Sequence, residues 1–530
     1  MATTMRRTML LYQPSRYSTC SLVASLSNHT YCRLNFFRCL SSSSSDENPV
    51  SNIVTRDSSV DASVSQTLDQ AHRGPSGHIN YRKHPGIMMD RGTHLPARLV
   101  KAMQVLFEKY PVASLLPKVD KLVSYLQQRQ PAISDTDLAK KKAEIEKVLL
   151  EKESLEMEGL SQLEADAKLE KHKKNMIKQL RSHVYHWKPM QYDAFTSYIY
   201  LLGRTSFDYS VLYQAFSEIS KRDANFKPTS IFHHGSKVGS GIWAANKIWQ
   251  KIGEHYCVEE SGHMNTIAQL LLQDGNEQKK VSSISGVHFR QFCPSPKEHK
   301  FSMVVSAHML IEKSTQVERL QLVRDFWEMA ENYLVIVENG TTAGFSLVNE
   351  AKDFILLNSH QGTQLLEPGH VFAPCPHDKP CPKLRVKNQP CLTESVLWDM
   401  DFSKDKPFEK KPKTARYSYV ILKKGSRTSD TEWPRVLHPI KAQGHVHVHM
   451  CLPCGELQHV VIGRGKFEKH LYSCARHVDQ GDRLPVSLSS QPLTTETNTE
   501  DPKPDNSCDD SDAESDLDTD TNLDREKTKQ

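Results

Sequence analysis

The first long periodic stretch of the chain is helical. From Leu95 onward, apolar residues recur at intervals of three and four, which is the repeat of one face of an α-helix. A second helix is predicted over 117–128, with Pro117 tolerated in its first turn. The charged stretch that begins at Asp135 has a narrow apolar stripe, which indicates a solvated helix or a helical hairpin. The apolar residues that define the first helix are Leu99, Met103, Leu106 and Phe107.

An aromatic-rich segment, 188–223, follows the charged stretch. Its tyrosines lie around Arg204. Core packing is the interpretation we prefer for them, and stacking against RNA bases is the alternative. These tyrosines are Tyr192, Tyr198, Tyr200, Tyr209 and Tyr213.

Near residue 228 the pattern changes to alternating strands and helices. A short strand over 228–234 leads into a glycine-rich turn, a helix from Ile242, a second strand over 255–259 and another helix. Strand, glycine turn, helix, strand and acid form the opening of a nucleotide-binding Rossmann unit. Glu259 lies 20 residues after Gly239 and would bind ribose hydroxyls. The candidate ligand-binding residues are Gly235, Ser236, Gly239 and Glu259.

The later part of the chain predicts an α/β fold with a mostly parallel sheet covered on both faces. Further strands are predicted over 301–306, 333–338 and 417–423, with helical sequence between them. The segment 340–416 has too little periodicity to form a core element, and we expect it to be an insertion.

The last ordered segment is predicted to form a β-hairpin. Residues 445–451 and 457–463 bracket a turn at Pro453, Cys454 and Gly455. Three histidines alternate along the first strand of the hairpin, so they share one of its faces. Zinc binding and a surface or RNA-facing role are the alternatives for this face. These histidines are His445, His447 and His449.

Four cysteines are the main candidate for a metal site. Cys375 and Cys381 are each followed by proline, which fixes φ and removes a backbone donor, so a stiff loop is predicted to present both sulfurs. Thiolates suit iron–sulfur clusters and zinc, and Cys391 and Cys451 supply two more sulfurs. A set of unpaired buried cysteines is the alternative.

The two ends of the chain differ in charge and composition from its middle. Residues 1–45 hold five arginines and no acid, the composition of a mitochondrial transit peptide, and a reducing matrix would favour metal over disulfides. Residues 494–530 carry a net charge of −9 and residues 46–493 a net charge of +9. A basic body suits RNA, although a solvated charged surface also accounts for it. No run of 18 apolar residues occurs, so no membrane span is predicted.

With these features in view, the sequence over roughly 95–485 resembles the methyltransferase-like protein 17 family. Its members are mitochondrial proteins associated with assembly of the small ribosomal subunit. The resemblance rests on GHVFAPCPHDKPCP (369–382), FSMVVSAHML (301–310), ENGTTAGF (338–345) and GHVHVHMC (444–451), and on the glycine-rich turn. It implies a class I methyltransferase-like fold behind a helical N-terminal region. It also implies a [4Fe–4S] cluster held by Cys375, Cys381, Cys391 and Cys451, with Cys454 as the substitute for Cys451 and Cys474 as a packed cysteine.

The resemblance also implies a domain organisation and a setting. The expected partners are the rRNA and proteins of the mitochondrial small ribosomal subunit, and the expected state is a monomer in the matrix, away from membranes. The predicted segments are a transit peptide (1–45), a linker (46–94), a helical domain (95–222), a methyltransferase-like domain (223–416) with a cysteine insertion (340–416), the last sheet strands and a β-rich segment (417–490), and a disordered acidic tail (491–530).

The sequence departs from the pattern of a working methyltransferase. The first motif normally has an acid before the glycines and a glycine after the serine, where this chain has His233 and Lys237. The stretch 306–309 lacks the Asn/Asp-Pro-Pro-aromatic turn of amine methyltransferases, and Cys293 is not placed as a nucleophile.

Two functional hypotheses follow from these departures. The first is an rRNA-binding assembly factor that has lost methyltransferase activity and is stabilised by the cluster. The second is an active rRNA cytosine methyltransferase that uses S-adenosylmethionine. Zinc is the alternative to the iron–sulfur cluster, because sites built from four thiolates serve both metals.

Overall fold

The computed structural model describes the central part of the 530-residue chain. The predicted transit peptide, most of the predicted linker and the predicted acidic tail lie outside the described residues. Within the described ranges, no helix is both long and apolar enough to cross a membrane. These ranges are 80–108, 112–153, 162–183, 186–279, 281–359, 365–385, 389–401, 409–427, 433–465 and 469–486.

The predicted N-terminal helical region is present and ends in a buried helix. This helix, α5 (Ala194–Arg222), begins where the Asp193 side chain accepts a hydrogen bond from the Thr196 amide at 2.7 Å. Tyr200 and Tyr209 are fully buried, so core packing is confirmed for these two tyrosines. The helices before it are α1 (Ala97–Phe107), α2 (Val112–Gln128), α3 (Asp135–Glu153) and α4 (Gln162–His183).

Two of these helices show where local sequence reasoning was incomplete. Helix α2 begins at Val112, so Pro117 lies in its second turn and not in its first, as the sequence predicted. Helices α3 and α4 pack against each other, which confirms the helical-hairpin alternative for the charged stretch. Their side chains are mostly solvent-exposed where the structure describes them.

The larger sheet forms the centre of the molecule. In the described residues it has nine strands in the order β1-β8-β9-β6-β5-β2-β3-β4, with β7 paired to the same edge of β9 as β8. These strands are β1 (Thr93–His94), β2 (Ser230–His234), β3 (Glu254–Val258), β4 (Val287–Arg290), β5 (Phe301–Ala307), β6 (Ala330–Asn339), β7 (Gly369–Ala373), β8 (Thr393–Asp401) and β9 (Glu409–Lys424).

The direction of pairing defines the fold. Strands β4, β3, β2, β5 and β6 are mutually parallel neighbours, whereas β9 runs antiparallel to β6 and β8. A parallel block that ends in one antiparallel strand is the class I methyltransferase-like arrangement that the resemblance implies. The predicted α/β fold class and mostly parallel sheet are therefore confirmed.

Helices cover both faces of the sheet. Along β6, Tyr333, Val335 and Val337 join the core formed with α1, α2, α5, α6 (Ser240–Ile248) and α7 (Gly262–Leu272). The alternating residues Leu334 and Ile336 join a second core with α8 (Gln316–Met329) and α9 (Thr342–Ser359). This alternation follows from the two-residue period of a strand, and burial on both faces explains the continuous apolar run.

The expectation that 340–416 contributes no core element is wrong. Helix α9 packs on the sheet with Ile355 fully buried, and β7 and β8 both pair with β9. Helix α9 was not predicted because a helix buried on most sides loses the amphipathic 3.6-residue pattern. The cysteine loop is thus a connection between elements of the main sheet.

A second, smaller sheet follows in sequence. In the described residues it has three antiparallel strands, β10 (Arg435–Lys441), β11 (His445–Cys451) and β12 (Leu457–Gly463), and helix α10 (Lys469–His477) packs against it. Strands β11 and β12 pair over the two predicted ranges, so the predicted hairpin is confirmed. Cys451 ends β11, also as predicted.

Candidate functional site

The predicted glycine-rich turn lies at the carboxyl end of β2, where ligands bind in open α/β sheets. Gly235 and Gly239 have φ values of +70° and +84°, which glycine adopts readily, and Gly239 is the residue before α6. The turn brings Gly235, Ser236 and Gly239 beside Glu259, which follows β3. The structure therefore brings the four predicted ligand-binding residues close together.

Lys237 occupies this site with its own side chain. Its ammonium Nζ lies 3.2 Å from Glu259 Oε2 and 4.8 Å from the centre of the Tyr192 ring, and both charged side chains are buried. Burial opposes the ammonium ion, but the Glu259 carboxylate outweighs it and the pKa of Lys237 is raised. Glu259 also accepts hydrogen bonds from the amides of Lys237 and Ser261 at 3.2 and 3.1 Å. The carboxylate expected to bind ribose is fully engaged within the chain.

The backbone at Lys237 is also unusual. Its φ is +47°, in the left-handed region that favours glycine, and methyltransferases of this class have glycine there. His233 lies on β2, two residues before Gly235, and its Nε2 lies 3.1 Å from Nδ1 of His255 on β3. Burial lowers the pKa of His233 well below its ordinary value, so a neutral ring stands where the motif has an acid.

The loop that follows β5 covers the glycine-rich turn. The side chain of Met309 contacts Gly235 so closely that a Cβ atom on this glycine would overlap it. The cavity that remains among the turn, β5 and α5 has a volume of about 20 Å³, room for about one water molecule. Pockets for small-molecule ligands have volumes of ~300–1,000 Å³. As it stands, the cradle is closed to a molecule of the size of S-adenosylmethionine.

Buried polar residues of α5 complete this closure. Asp208 forms an ion pair with Arg204 at 2.9 Å, accepts a hydrogen bond from the Tyr200 hydroxyl at 2.7 Å, and lies 3.4 Å from Nε2 of His308. Burial would raise the pKa of Asp208, but Arg204 and His308 outweigh it and the pKa is lowered. His308 belongs to the stretch where a catalytic turn would lie, and it serves here in an internal network. Sequence reasoning did not identify Asp208 or Met309, because only the tertiary structure brings them to the turn.

The four candidate cysteines come from separate parts of the fold. Cys375 follows β7, Cys381 precedes a short 3₁₀ turn, Cys391 precedes β8 and Cys451 ends β11. The interaction of Cys391 with the Cys381 sulfur lowers the pKa of Cys381. The same interaction, burial and the charges of the other three cysteines raise the pKa of Cys391 well above its ordinary value. The structure therefore brings all four sulfurs into one neighbourhood.

Cations and a histidine surround these thiols. The buried Lys352 of α9 and Arg435 of β10 both act electrostatically on Cys375. His377 Nε2 lies 3.3 Å from the Cys451 sulfur, and its Nδ1 lies 3.2 Å from the Lys379 carbonyl. Sequence reasoning did not identify Lys352 or His377, although His377 stands between the first two cysteines.

Four cysteine side chains beside buried cations form a donor set that would suit either an iron–sulfur cluster or a zinc ion, because thiolates bind both. Among the described residues, no three His, Cys, Asp or Glu side chains are already arranged to hold a metal ion. Cys454, the substitute candidate, lies in the turn of the β11–β12 hairpin and is half-buried. Cys474 lies within the core of the small sheet, in agreement with the packed-cysteine interpretation.

Comparisons with known proteins agree with the resemblance noted from sequence motifs. The human mitochondrial ribosome assembly protein METTL17 is 36% identical over 412 residues, which cover 77% of this chain and 87% of that protein. The Saccharomyces cerevisiae mitochondrial ribosome assembly protein RSM22 is 22% identical over 441 residues, covering 57% and 68% of the two chains. A magnesium protoporphyrin IX methyltransferase from Synechocystis is 12% identical with a TM-score of 0.25, covering 44% of this chain and 89% of that one.

The sequence profile described as "Mitochondrial small ribosomal subunit Rsm22" matches residues 194–485, which is more than half of the chain. This range runs from the start of α5 to beyond the end of α10 and includes the glycine-rich turn and all four cysteines. The chain belongs to the Rsm22 family of mitochondrial ribosome assembly proteins, which includes human METTL17.

Proposed function

We propose that this protein is a non-catalytic assembly factor of the mitochondrial small ribosomal subunit, which acts in the matrix and binds rRNA. One observation carries the non-catalytic part of the proposal. The Lys237–Glu259 ion pair fills the cradle in which a methyltransferase holds its methyl donor. A buried pair loses several kcal/mol of hydration when it forms, and a ligand that entered the cradle would have to displace it.

The surroundings of the pair support the same conclusion. Met309 covers Gly235, and the stretch from Ser306 to Met309 has no side-chain amide or carboxylate to hold a target base. The ring of His308 lies against the buried Asp208, with its Nε2 3.4 Å from that carboxylate. Cys293, which an attack on a pyrimidine ring would need as a nucleophile, is exposed in the loop between β4 and β5, and partial desolvation raises the pKa of its thiol, which disfavours the thiolate. The methyltransferase-like sheet is present, but neither the methyl donor nor the base to be methylated has a preformed binding site.

We assign a structural [4Fe–4S] cluster to Cys375, Cys381, Cys391 and Cys451. Such a cluster would link β7 and β8 of the main sheet to β11 of the small sheet across the sixty residues from Cys391 to Cys451. Closing a loop of this length constrains the unfolded chain, and metal-binding free energy becomes folding free energy. Lys352 and Arg435 would offset the negative charge of the cluster. Ribosome association would then depend on cluster supply.

The rRNA part of the proposal rests on charge and on the relatives. Residues 46–493 carry a net charge of +9, which favours a polyanionic partner. The names of the human and yeast relatives describe mitochondrial ribosome assembly proteins. A basic protein of this family without a donor site is best explained as a binding factor for the maturing subunit.

Isothermal titration calorimetry with S-adenosylmethionine tests the non-catalytic part. We expect no heat of binding for the wild-type protein at millimolar donor concentration. A matched experiment uses Met309→Ala, which removes the side chain over Gly235 and leaves the Lys237–Glu259 pair in place. We expect no binding to this variant either. Micromolar binding to the wild type would refute the closed cradle and favour the active rRNA cytosine methyltransferase.

Anaerobic purification with an absorption spectrum and metal analysis tests the cluster. We expect a brown protein with about four irons per chain, and loss of colour and iron in Cys451→Ser. Cys474→Ser is the control, because Cys474 lies in the small-sheet core and should leave the iron content unchanged. Cys454→Ser tests the substitute ligand. A colourless protein with one zinc would refute the cluster and retain the four-thiolate site, and a metal-free protein would refute both.

A further inference from the structure

The small sheet has one buried face and one open face. Alternate residues of β11 and β12, among them Val446, Val448, Val460 and Ile462, are buried in the small-sheet core. The residues between them point the other way, because successive side chains of a strand alternate. Five histidines lie on this second side, and we call it the histidine face. Its members are His438, His445, His447, His449 and His459.

The register of the strands places these rings in contact. His449 of β11 pairs directly with His438 of β10 on one side and with His459 of β12 on the other. The rings of His449 and His459 are stacked, with centres 4.3 Å apart and planes at 8°. His447 stacks on His459 with centres 5.2 Å apart, and His445 lies 5.0 Å from His447. The central imidazole rings of the histidine face therefore stack on one another across the strands.

These rings interact mainly with one another. Nδ1 of His447 lies 3.1 Å from Nε2 of His459, and Nδ1 of His459 has no hydrogen-bond partner among the described residues. Imidazole is an aromatic ring whose nitrogens can donate or accept hydrogen bonds, so histidine side chains can contact bases by stacking or through their ring edges.

The charge around the face suits an anionic partner. None of the three strands contains an aspartate or a glutamate. Lys383 lies close enough to His449 to act on its charge, and the exposed Arg464 follows β12. Exposed apolar side chains complete the surface: Ile440 is 48% exposed and Leu457 is 40% exposed. A flat, uncharged centre with basic residues at its edge matches an unpaired stretch of nucleic acid, whose bases are flat and whose phosphates are negative.

We propose that the histidine face binds unpaired RNA nucleotides, by stacking bases on the imidazole rings while the flanking basic residues contact the phosphates. This proposal rests on the rRNA-binding function proposed above and gives it a location. Antiparallel sheets that carry aromatic rings on an open face, as in RRM domains, bind single-stranded RNA in this way. Duplex RNA does not fit, because its bases are already stacked and paired.

A metal ion is the competing occupant. Two imidazole nitrogens on one tetrahedral ion would lie about 3.3 Å apart, close to the 3.1 Å between His447 and His459. Against this occupant, no third side chain among the described His, Cys, Asp and Glu residues joins these two in a metal-binding arrangement. Stacking uses all of the rings, whereas an ion would use two.

The test measures RNA binding by the full-length protein with three variants. Fluorescence anisotropy follows a labelled single strand of about 12 nucleotides, with a hairpin duplex of the same length as competitor. The first variant replaces His447, His449 and His459 by alanine. The control variant replaces the three exposed histidines His263, His288 and His299, which lie on the main domain, by alanine. The third variant, His449→Phe with His459→Phe, retains flat rings and removes their nitrogens.

We expect the triple alanine variant to bind the single strand at least roughly tenfold more weakly, with the control variant and the phenylalanine variant close to wild type. Circular dichroism and the unfolding midpoint check that the alanine variant is folded. If it is unfolded, protection of the same three histidines from diethylpyrocarbonate by RNA, read by mass spectrometry of the wild type, decides instead.

Three outcomes would overturn the proposal. Unchanged RNA binding in a folded alanine variant, or no protection of these histidines by RNA, would place the RNA elsewhere and leave the proposed function intact. Zinc binding that the alanine and phenylalanine variants both lose, with RNA binding unchanged, would make the face a metal site. A wild-type protein that binds no RNA would refute the histidine-face proposal and the rRNA-binding function together.

Discussion

Arg435 connects three parts of the protein, and replacing it by glutamine tests how the two sheets are held together. Its Nη2 lies 2.5 Å from Oε1 of Glu218 on α5. Its Nε donates to the Pro374 carbonyl at 2.7 Å, beside Cys375, and its Nη1 donates to the Gly481 carbonyl at 2.6 Å. Arg435 is 4% exposed and Glu218 is 2% exposed, so water does not screen the pair.

The cost of losing Arg435 follows from the buried charge that stays behind. Removing one partner of a buried pair costs ~3–5 kcal/mol. Glu218 keeps Arg222 at 3.0 Å and the Tyr419 hydroxyl at 2.8 Å, so the lower end of that range applies. Burial would raise the pKa of Glu218, but Arg435 and Arg222 outweigh it and together lower it from 4.5 to about 2. This shift corresponds to about 3 kcal/mol for the whole surroundings of the carboxylate, of which Arg435 supplies the largest favourable part.

The pH dependence has a definite sign. Because the folded-state pKa of Glu218 lies below its unfolded value, the stabilisation is complete above about pH 4.5 and is lost as the pH falls towards about 2. At about pH 3.5, roughly 2 of the 3 kcal/mol should remain. The stability difference between wild type and Arg435→Gln should therefore be constant from neutral pH to about pH 5 and shrink below that.

Urea denaturation followed by tryptophan fluorescence and circular dichroism measures the effect, provided that the two transitions coincide. Arg416→Gln is the control, because the Arg416–Glu394 pair is exposed and should contribute less than about 1 kcal/mol. The reasoning would be refuted if Arg435→Gln and Arg416→Gln lost equal amounts of unfolding free energy. It would also be refuted if the stability difference between wild type and Arg435→Gln stayed constant below pH 4. A second variant, Arg435→Met with Glu218→Leu, should recover most of the loss, since it leaves no buried charge unpaired.

Three further predictions concern the site and the core. Lys237→Gly should lower the free energy of unfolding by about 1–4 kcal/mol. Leaving Glu259 buried without its cation costs about 3–5 kcal/mol, and glycine in the left-handed backbone conformation recovers about 1–2 kcal/mol. Lys237→Met, measured alongside, should show the cost without this recovery. Gly369→Ala should cost at least about 1–3 kcal/mol, since its Cβ would overlap the Trp327 ring, whereas Gly465→Ala, with open space around it, should stay within about 0.5 kcal/mol. Oxidative removal of iron with ferricyanide and EDTA should lower the urea midpoint of wild type, and an unchanged midpoint would contradict a structural cluster.

The sequence was most informative where a pattern was local. The alternation of short strands with glycine turns and helices predicted the parallel sheet, and the two-residue period of 445–451 and 457–463 predicted the hairpin. The position of Glu259 relative to Gly239 predicted that both would reach the same strand ends. In each case the feature depends on residues within about twenty positions of one another, so propensity and periodicity carry the information.

Other features were out of reach because they depend on tertiary contacts. Helix α9 and strand β7 were missed, since elements buried on both faces lose the polar positions that mark a period. Strand β8 was missed because two of its buried positions are the polar residues Thr393 and Ser395, which hides the alternation of apolar and polar residues. Met309 lies over Gly235 only because β2 and β5 are neighbours in the sheet. Lys237 was flagged from the motif, but its ion pair with Glu259 required the structure. Arg435 lies 217 residues from Glu218, and no local signal connects them.

The charged pairs at the glycine-rich turn show how this fold can be stable with no methyl donor bound, as the proposed function requires. In a methyltransferase the donor supplies charge and contacts at the strand ends, and the enzyme is stabilised when it binds. Here the chain supplies equivalent charges itself: Lys237 stands beside Glu259, and Arg204 stands beside Asp208. Because a buried carboxylate without a cation is costly, each pair is more stable intact than after loss of either partner. Restoring donor binding would therefore require several coordinated substitutions, since opening the cradle at one position would destabilise the fold before it created a site.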